Sequence, residues 1–175
     1  VATNLYVDGK SVALASATDT QANLEQIANL TANGTLVELF LNDDDANRID
    51  TVVVVHTQLM QVNRVTSTNV TLKKVESMGN TVSSVDKADD AYSTLSGLKA
   101  GDYVLVTAYE DGSSYTVASV TVPQSVSGNI SAVSLKKNAT SVNGLTVGGT
   151  AYKMSQLWSS EDGKLDKDSA SANVQ

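Results

Sequence analysis

The stretch Leu5-Tyr6-Val7-Asp8-Gly9-Lys10-Ser11-Val12-Ala13-Leu14 decides the fold class. Two short apolar runs flank Asp8-Gly9. Asp-Gly in that setting is a strong signal for a two-residue β-hairpin, because both turn residues must take positive φ. A near copy, Leu145-Thr146-Val147-Gly148-Gly149-Thr150-Ala151-Tyr152-Lys153-Met154, stands about 140 residues further on, with Leu, Val and Gly matched in place. A second pair recurs at about half that spacing. Leu30-Thr31-Ala32-Asn33-Gly34 leads into Val37-Glu38-Leu39, and Leu98-Lys99-Ala100-Gly101 leads into Val104-Leu105-Val106. The chain therefore reads as roughly two and a half copies of a ~70-residue unit.

Between these anchors, Val and Thr dominate the apolar runs, and β-branched side chains favour strands. Further strands are expected over 36–41, 49–56, 62–65, 70–75, 103–109, 115–122 and 130–135. Asp111-Gly112 marks another hairpin, between the 103–109 and 115–122 runs. Leu24, Ile27, Ala28 and Leu30 recur at helical spacing, with Asp19 or Thr20 placed to cap the start and Gly34 the end. A second short helix is expected over 86–98, with Tyr92, Leu95 and Leu98 on one face. The expected fold is mainly β with one or two short helices, as small barrel or OB-like modules built from the repeat. Three strands, a helix and two strands is the order of such a barrel. The domain reading is a first partial module over 1–58, completed by 126–157, and a complete module over 59–122. A third partial repeat over 123–157 and a polar tail or linker over 158–175 follow.

Composition narrows the function classes. The 175 residues carry 19 acidic and 12 basic side chains, a net charge of −7, one His and no Cys. Absent Cys removes disulfide scaffolds and Cys-ligated metals, and a lone His removes multi-His zinc sites. The acidic balance argues against a nucleic-acid surface. No window is apolar over the ~18 residues of a membrane span. The start, Val1 to Leu5, carries no basic n-region of a signal peptide, and the chain is expected to be a processed or excised piece of a longer protein. Abundant Thr, Ser, Asn and Gly with no Cys is the usage of secreted or surface proteins of Gram-positive bacteria.

Three runs carry a family resemblance: 95–108 (LSGLKAGDYVLVTA), 42–55 (NDDDANRIDTVVVV) and 126–133 (VSGNISAV). Together they resemble the β-rich repeat modules of clostridial cell-surface proteins that carry S-layer homology domains. The resemblance implies a secreted, wall-attached protein, noncatalytic in these modules. Its expected place is extracellular, in the cell wall or surface layer. Its expected partners are other modules of the same chain or surface-layer proteins, with no nucleic acid and no membrane span.

Candidate sites follow from residue types. The loop Asn42-Asp43-Asp44-Asp45-Ala46-Asn47-Arg48-Ile49-Asp50 offers Asn42, Asp44 and Asp50 as oxygen ligands for calcium. Related surface proteins show Asp-x-Asp-x-Asp-Gly-x-Ile-Asp in such loops. Aligned on Ile49, Ala46 stands at a ligand position and Asn47 replaces the glycine, so a solvated Asn/Asp turn is the preferred reading. No other cofactor is expected. His56 is expected to end an apolar strand, half-buried and without an acid close in sequence. No Gly-x-Ser-x-Gly elbow or phosphate loop exists, and the Asn-x-Ser/Thr triplets at Asn29, Asn33, Asn69, Asn129 and Asn138 fit chance in so Asn-, Ser- and Thr-rich a chain.

Tyr103, Tyr109 and Tyr115 could form an aromatic platform for sugars, with Tyr115 expected to face Tyr109 across a hairpin. The leading functional expectation is a structural, spacer or adhesion module of a bacterial cell-surface protein. The rival is a carbohydrate- or wall-binding module that uses the tyrosines against cell-wall or host glycan.

Overall fold

A computed structural model describes residues 4–13, 31, 34–45, 48–76, 79–88, 90–92, 95–135, 142–155 and 157. The strands are β1 (Asn4–Val7), β2 (Lys10–Ser11), β3 (Thr35–Leu41), β4 (Ile49–Val65), β5 (Asn69–Lys74), β6 (Ser84–Asp86), β7 (Tyr103–Asp111), β8 (Ser114–Thr121), β9 (Ile130–Leu135), β10 (Val142–Val147) and β11 (Thr150–Lys153). The chain is mainly β, as its Val/Thr usage predicts. β1 to β8 form one curled, half-barrel sheet, and β9 to β11 form a second, three-stranded one.

The Asp-Gly and Gly-Gly signals form as read. Asp8 and Gly9 take φ of 48° and 81°, and β1 pairs antiparallel with β2 across them. Gly148 and Gly149 do the same between β10 and β11, at φ 57° and 86°. Both turns therefore have positive φ at each central residue, the geometry that matches strand twist in a two-residue loop. β7 and β8 form the hairpin expected around Asp111-Gly112.

β4 departs from expectation. The runs 49–56 and 62–65 are one strand of 17 residues, about 56 Å long at ~3.3 Å per residue. The stretch between them is polar enough to read as a break, yet partners on both sides keep it extended. Near its start, β4 pairs with β1 in parallel and with β3 antiparallel. Near its end it pairs with β7 and β5, both antiparallel. Four strands thus share one central strand, two at each end.

The expected helix over 86–98 is corrected. Ser84–Asp86 is a strand, and one 3-10 turn follows at Asp90–Tyr92. The apolar residues that suggested a helix are inward-facing all the same. Tyr92 is buried, and Leu95 and Leu98 pack against the same core. Gly97, at φ 75°, breaks helical geometry there. The expected first helix lies outside the described residues, apart from Gly34 beside its expected end, as does the whole polar tail over 158–175.

Side-chain parity sorts the core. From Val52 to Val62 the even-numbered residues of β4 face inward, and a register shift after Val62 turns Val65 rather than Arg64 to the core. Val52 and Val54 join Leu5 in a small cluster, with Val7, Val37 and Ile49 against it. Met60 and Val62 belong to a larger one with Val70, Leu72, Val82, Val85, Tyr92, Val104, Val106, Ala108, Val117 and Val120. Tyr92 belongs to the larger cluster, on a 3-10 turn that packs against β8. The end of the second sheet reaches the first where Ser155 lies near Gly34.

Met60 is 1% exposed, whereas Leu39 on β3 is 51% exposed. Met60→Ala is expected to lower unfolding stability by about 3 kcal/mol, because it removes buried methylenes and leaves a cavity. Leu39→Ala is expected to cost less than about 1 kcal/mol. Urea unfolding followed by circular dichroism checks both.

Candidate functional site

The inward row of β4 runs Val52, Val54, His56, Gln58, Met60, Val62. Two polar residues therefore stand where the small cluster ends and the large one begins. Other polar side chains converge there from distant parts of the chain.

Asp8 comes from the first hairpin turn and is 7% exposed. Its Oδ1 accepts the His56 backbone N–H at 2.7 Å. Its Oδ2 accepts the His56 ring Nδ1–H at 2.9 Å and the Asn80 Nδ2–H at 3.0 Å. The Asp8 backbone continues the pattern, donating from N to Val54 and accepting at O from Glu110. Asp8 thus fills the gap where β1 leaves β4 and β7 takes over. Burial by itself raises the Asp8 carboxyl. The His56 ring, the His56 amide and Asn80 outweigh it and hold the pKa below the usual aspartate value of 3.8.

Glu76 plays the matching part on the opposite edge. It is 3% exposed, and its Oε2 accepts the Leu59 N–H at 2.7 Å. β3 ends its pairing at His56, and β5 begins at Met60. In the interval, Thr57 N–H goes to the Gly34 carbonyl and Leu59 N–H to Glu76. Each orphan N–H of β4 at the handover therefore meets an acceptor, as buried backbone requires. Glu76, Gly79 and Asn80 roof this seam, and Gly79 is there for space. A Cβ on Gly79 would overlap Gln58 Oε1.

On the outward face, Thr57, Leu59 and Leu105 join Gly34, Glu76 and the Lys153–Ser155 end of the second sheet around a groove of ≈ 420 Å³. The Thr57 and Thr107 hydroxyls bond across β4 and β7 at 3.0 Å.

The residues singled out from sequence fall into three places. His56 lies within β4 rather than at a strand end, and its acid arrives from 48 positions away. Asn42, Asp44 and Asp50 lie in and beside the β3–β4 turn. Asn42 Oδ1 accepts the N–H groups of Asp44 and Asp45 at 2.9 and 3.1 Å. Asp50 Oδ2 accepts from the Thr51 hydroxyl. This is the self-bonded turn that Asn and Asp favour. No group of three His, Cys, Asp or Glu positioned for a metal occurs among the described residues.

Tyr103 and Tyr109 share the outward face of β7, 46% and 44% exposed. Tyr115 does not join them. It pairs with Glu110, not Tyr109, which turns it to the inward face against the large core. One step of register is enough to reverse its side.

Asp8, Thr35, Gln58, Glu76 and Asn80 escaped the sequence reading. Asp8 and Asn80 are far from His56 in sequence, and Asp8 already served as a turn residue. One signal was present: two polar side chains at consecutive inward positions of an otherwise apolar strand.

Asp8→Ala is expected to lower stability by about 3 kcal/mol, because it removes a buried ionised acceptor and its three donors lose their partner. Asp8 is ionised more readily in the folded state than in the unfolded one. Its contribution is therefore complete above pH 3.8 and is lost as pH falls through the lower folded value. Urea midpoints measured between pH 6 and pH 2 should show this fall in the parent and a flatter profile in Asp8→Ala. In the turn, Asn42→Ala is expected to cost about 1 kcal/mol, while Asp44→Ala should leave the melting temperature unchanged in EDTA and in millimolar calcium alike. A calcium-dependent rise in the parent, lost in Asp44→Ala, is the opposite outcome. No protein-family model, curated protein or solved structure matches the chain.

Proposed function

We propose that this chain is a noncatalytic structural or spacer module of a bacterial cell-surface protein, placed outside the cell in the wall or surface layer. Its partners in this reading are other modules of the same chain or surface-layer proteins. One observation carries the proposal: the buried acids Asp8 and Glu76 are engaged by the backbone of β4. Polar groups used to hold one long strand continuous suit a rigid spacer. The acidic surface and the Ser/Thr-rich composition suit a hydrated exterior.

The repeat-built, OB-like reading belongs to the same proposal. Two features support it. The Leu5 and Leu145 copies both make two-residue turns with paired positive φ. Gly34 and Gly101, at φ 85° and 94°, each stand just before a strand that runs antiparallel to β4. The strands of this part pair in the path β6-β5-β4-β7-β8, with a 3-10 turn where the expected helix stood.

A glycan-binding module is the second reading, and the exposure of Tyr103 and Tyr109 favours it. They lie six residues apart on one face, about 20 Å at ~3.4 Å per residue. Aromatic faces at such a spacing contact separate sugars of one chain.

Antibodies raised against the module test the first reading on intact source cells. Surface labelling that is lost after external protease is the expected result, and labelling only after lysis overturns it. Binding of solubilised wall polysaccharide, followed by NMR, tests the second. There, Tyr103→Ala with Tyr109→Ala should abolish binding without loss of stability. Tyr115→Ala should instead lower stability by about 2 kcal/mol, because its ring packs on the core.

A further inference from the structure

The seam between the two apolar clusters is less fully bonded than the interior around it. Gln58 is 2% exposed, and neither its Nε2 nor its Oε1 has a partner among the described residues. Thr35 is 6% exposed, and its Oγ1 has none among those residues. Buried amides and hydroxyls without partners are rare because leaving them dry is costly. Three such atoms in one place call for a common explanation.

Their placement supplies it. Thr35 pairs directly with His56 across β3 and β4, so both face inward. Gln58 lies two residues further along β4 on the same face. Thr35 and Gln58 are therefore diagonal neighbours, with Cβ atoms roughly 7 Å apart. A water molecule making two bonds of ~2.8 Å joins polar atoms up to ~5.6 Å apart, a reach suited to side chains so placed.

The chemistry of the three atoms selects among occupants. Gln58 Nε2 donates, Gln58 Oε1 accepts, and Thr35 Oγ1 does either. A metal cation would meet the Nε2 donor, and the Asp8 carboxylate is already held by three donors. An anion would meet both that carboxylate and Oε1. An organic ligand lacks room, since Gly79 packs so closely that a single Cβ there would overlap Oε1. A small neutral molecule that both donates and accepts remains.

We infer that this seam is a binding site for ordered water, with at least one molecule bridging the Gln58 amide and the Thr35 hydroxyl beside the His56 ring. The water completes a polar layer that Asp8, His56 and Asn80 begin. It joins the two apolar clusters without requiring them to merge.

A high-resolution crystal structure of the full chain tests this directly. The expected result is a density peak within hydrogen-bond distance of both Gln58 and Thr35. No peak, or a Gln58 amide turned onto a protein partner, overturns the inference. Gln58→Met gives a second readout, since it keeps the length of the side chain and removes both orphan atoms. With water present in the parent, the variant should lose the peak and shift the melting temperature by less than about 2 °C. A dry, unpartnered amide instead predicts a rise of about 5 °C or more. Should the variant not fold, the parent structure alone decides the matter.

Discussion

The fold depends on one constraint: β4 changes partners partway along its length without losing its hydrogen bonds. β1 and β3 serve the strand near its start, and β7 and β5 near its end. Any such exchange leaves backbone N–H groups facing a gap, and a buried gap of that kind is costly. Two carboxylates and one carbonyl close it. Asp8 takes the His56 amide on one edge, while Gly34 and Glu76 take Thr57 and Leu59 on the other. Carboxyl groups suit this task, because each brings oxygens that can turn to the exposed N–H groups.

That solution has consequences for packing. Acceptors that cap the strand need donors and space, so the inward row of β4 turns polar at His56 and Gln58. The apolar residues on either side then form two clusters rather than one continuous core. Asn80 and the close passage of Gly79 tie the roof of the seam to the first hairpin and to β4. The first hairpin is also held at its outer end, where Lys10 approaches Glu110 at 3.6 Å. Its lysine is largely exposed, and the pair contributes little beside the buried Asp8 contacts.

For function, the same arrangement separates two uses of polar residues. Inside, Asp8, His56, Asn80 and Glu76 are bonded to one another or to the backbone and build the sheet. Outside, Tyr103 and Tyr109 remain exposed on the face of β7 that also contributes Leu105 to the groove. A spacer requires the first set only. A sugar-binding module requires the second as well. The two readings are thus carried by different faces of the same strands.

Much of the fold was legible because it rests on local rules. Asp8-Gly9 and Gly148-Gly149 make hairpins since only such residues accept positive φ cheaply. Val and Thr runs make strands, and alternation along β4 and β7 names most of the inward residues. The unity of β4 was not legible, because its polar middle is held extended by partners that a local window does not contain. Nor was the short 3-10 turn at Tyr92, where burial on the core, not helical periodicity, explains the apolar spacing. The side of Tyr115 depended on register, and register is a property of two strands together. Sequence by itself determined the strand content, the turns and which residues seek the interior. Only the tertiary structure decided that Asp8 meets His56 and Asn80 and that Glu76 caps β4. Those contacts join residues far apart in the chain, and they form because the exchange of strands leaves N–H groups that need an acceptor.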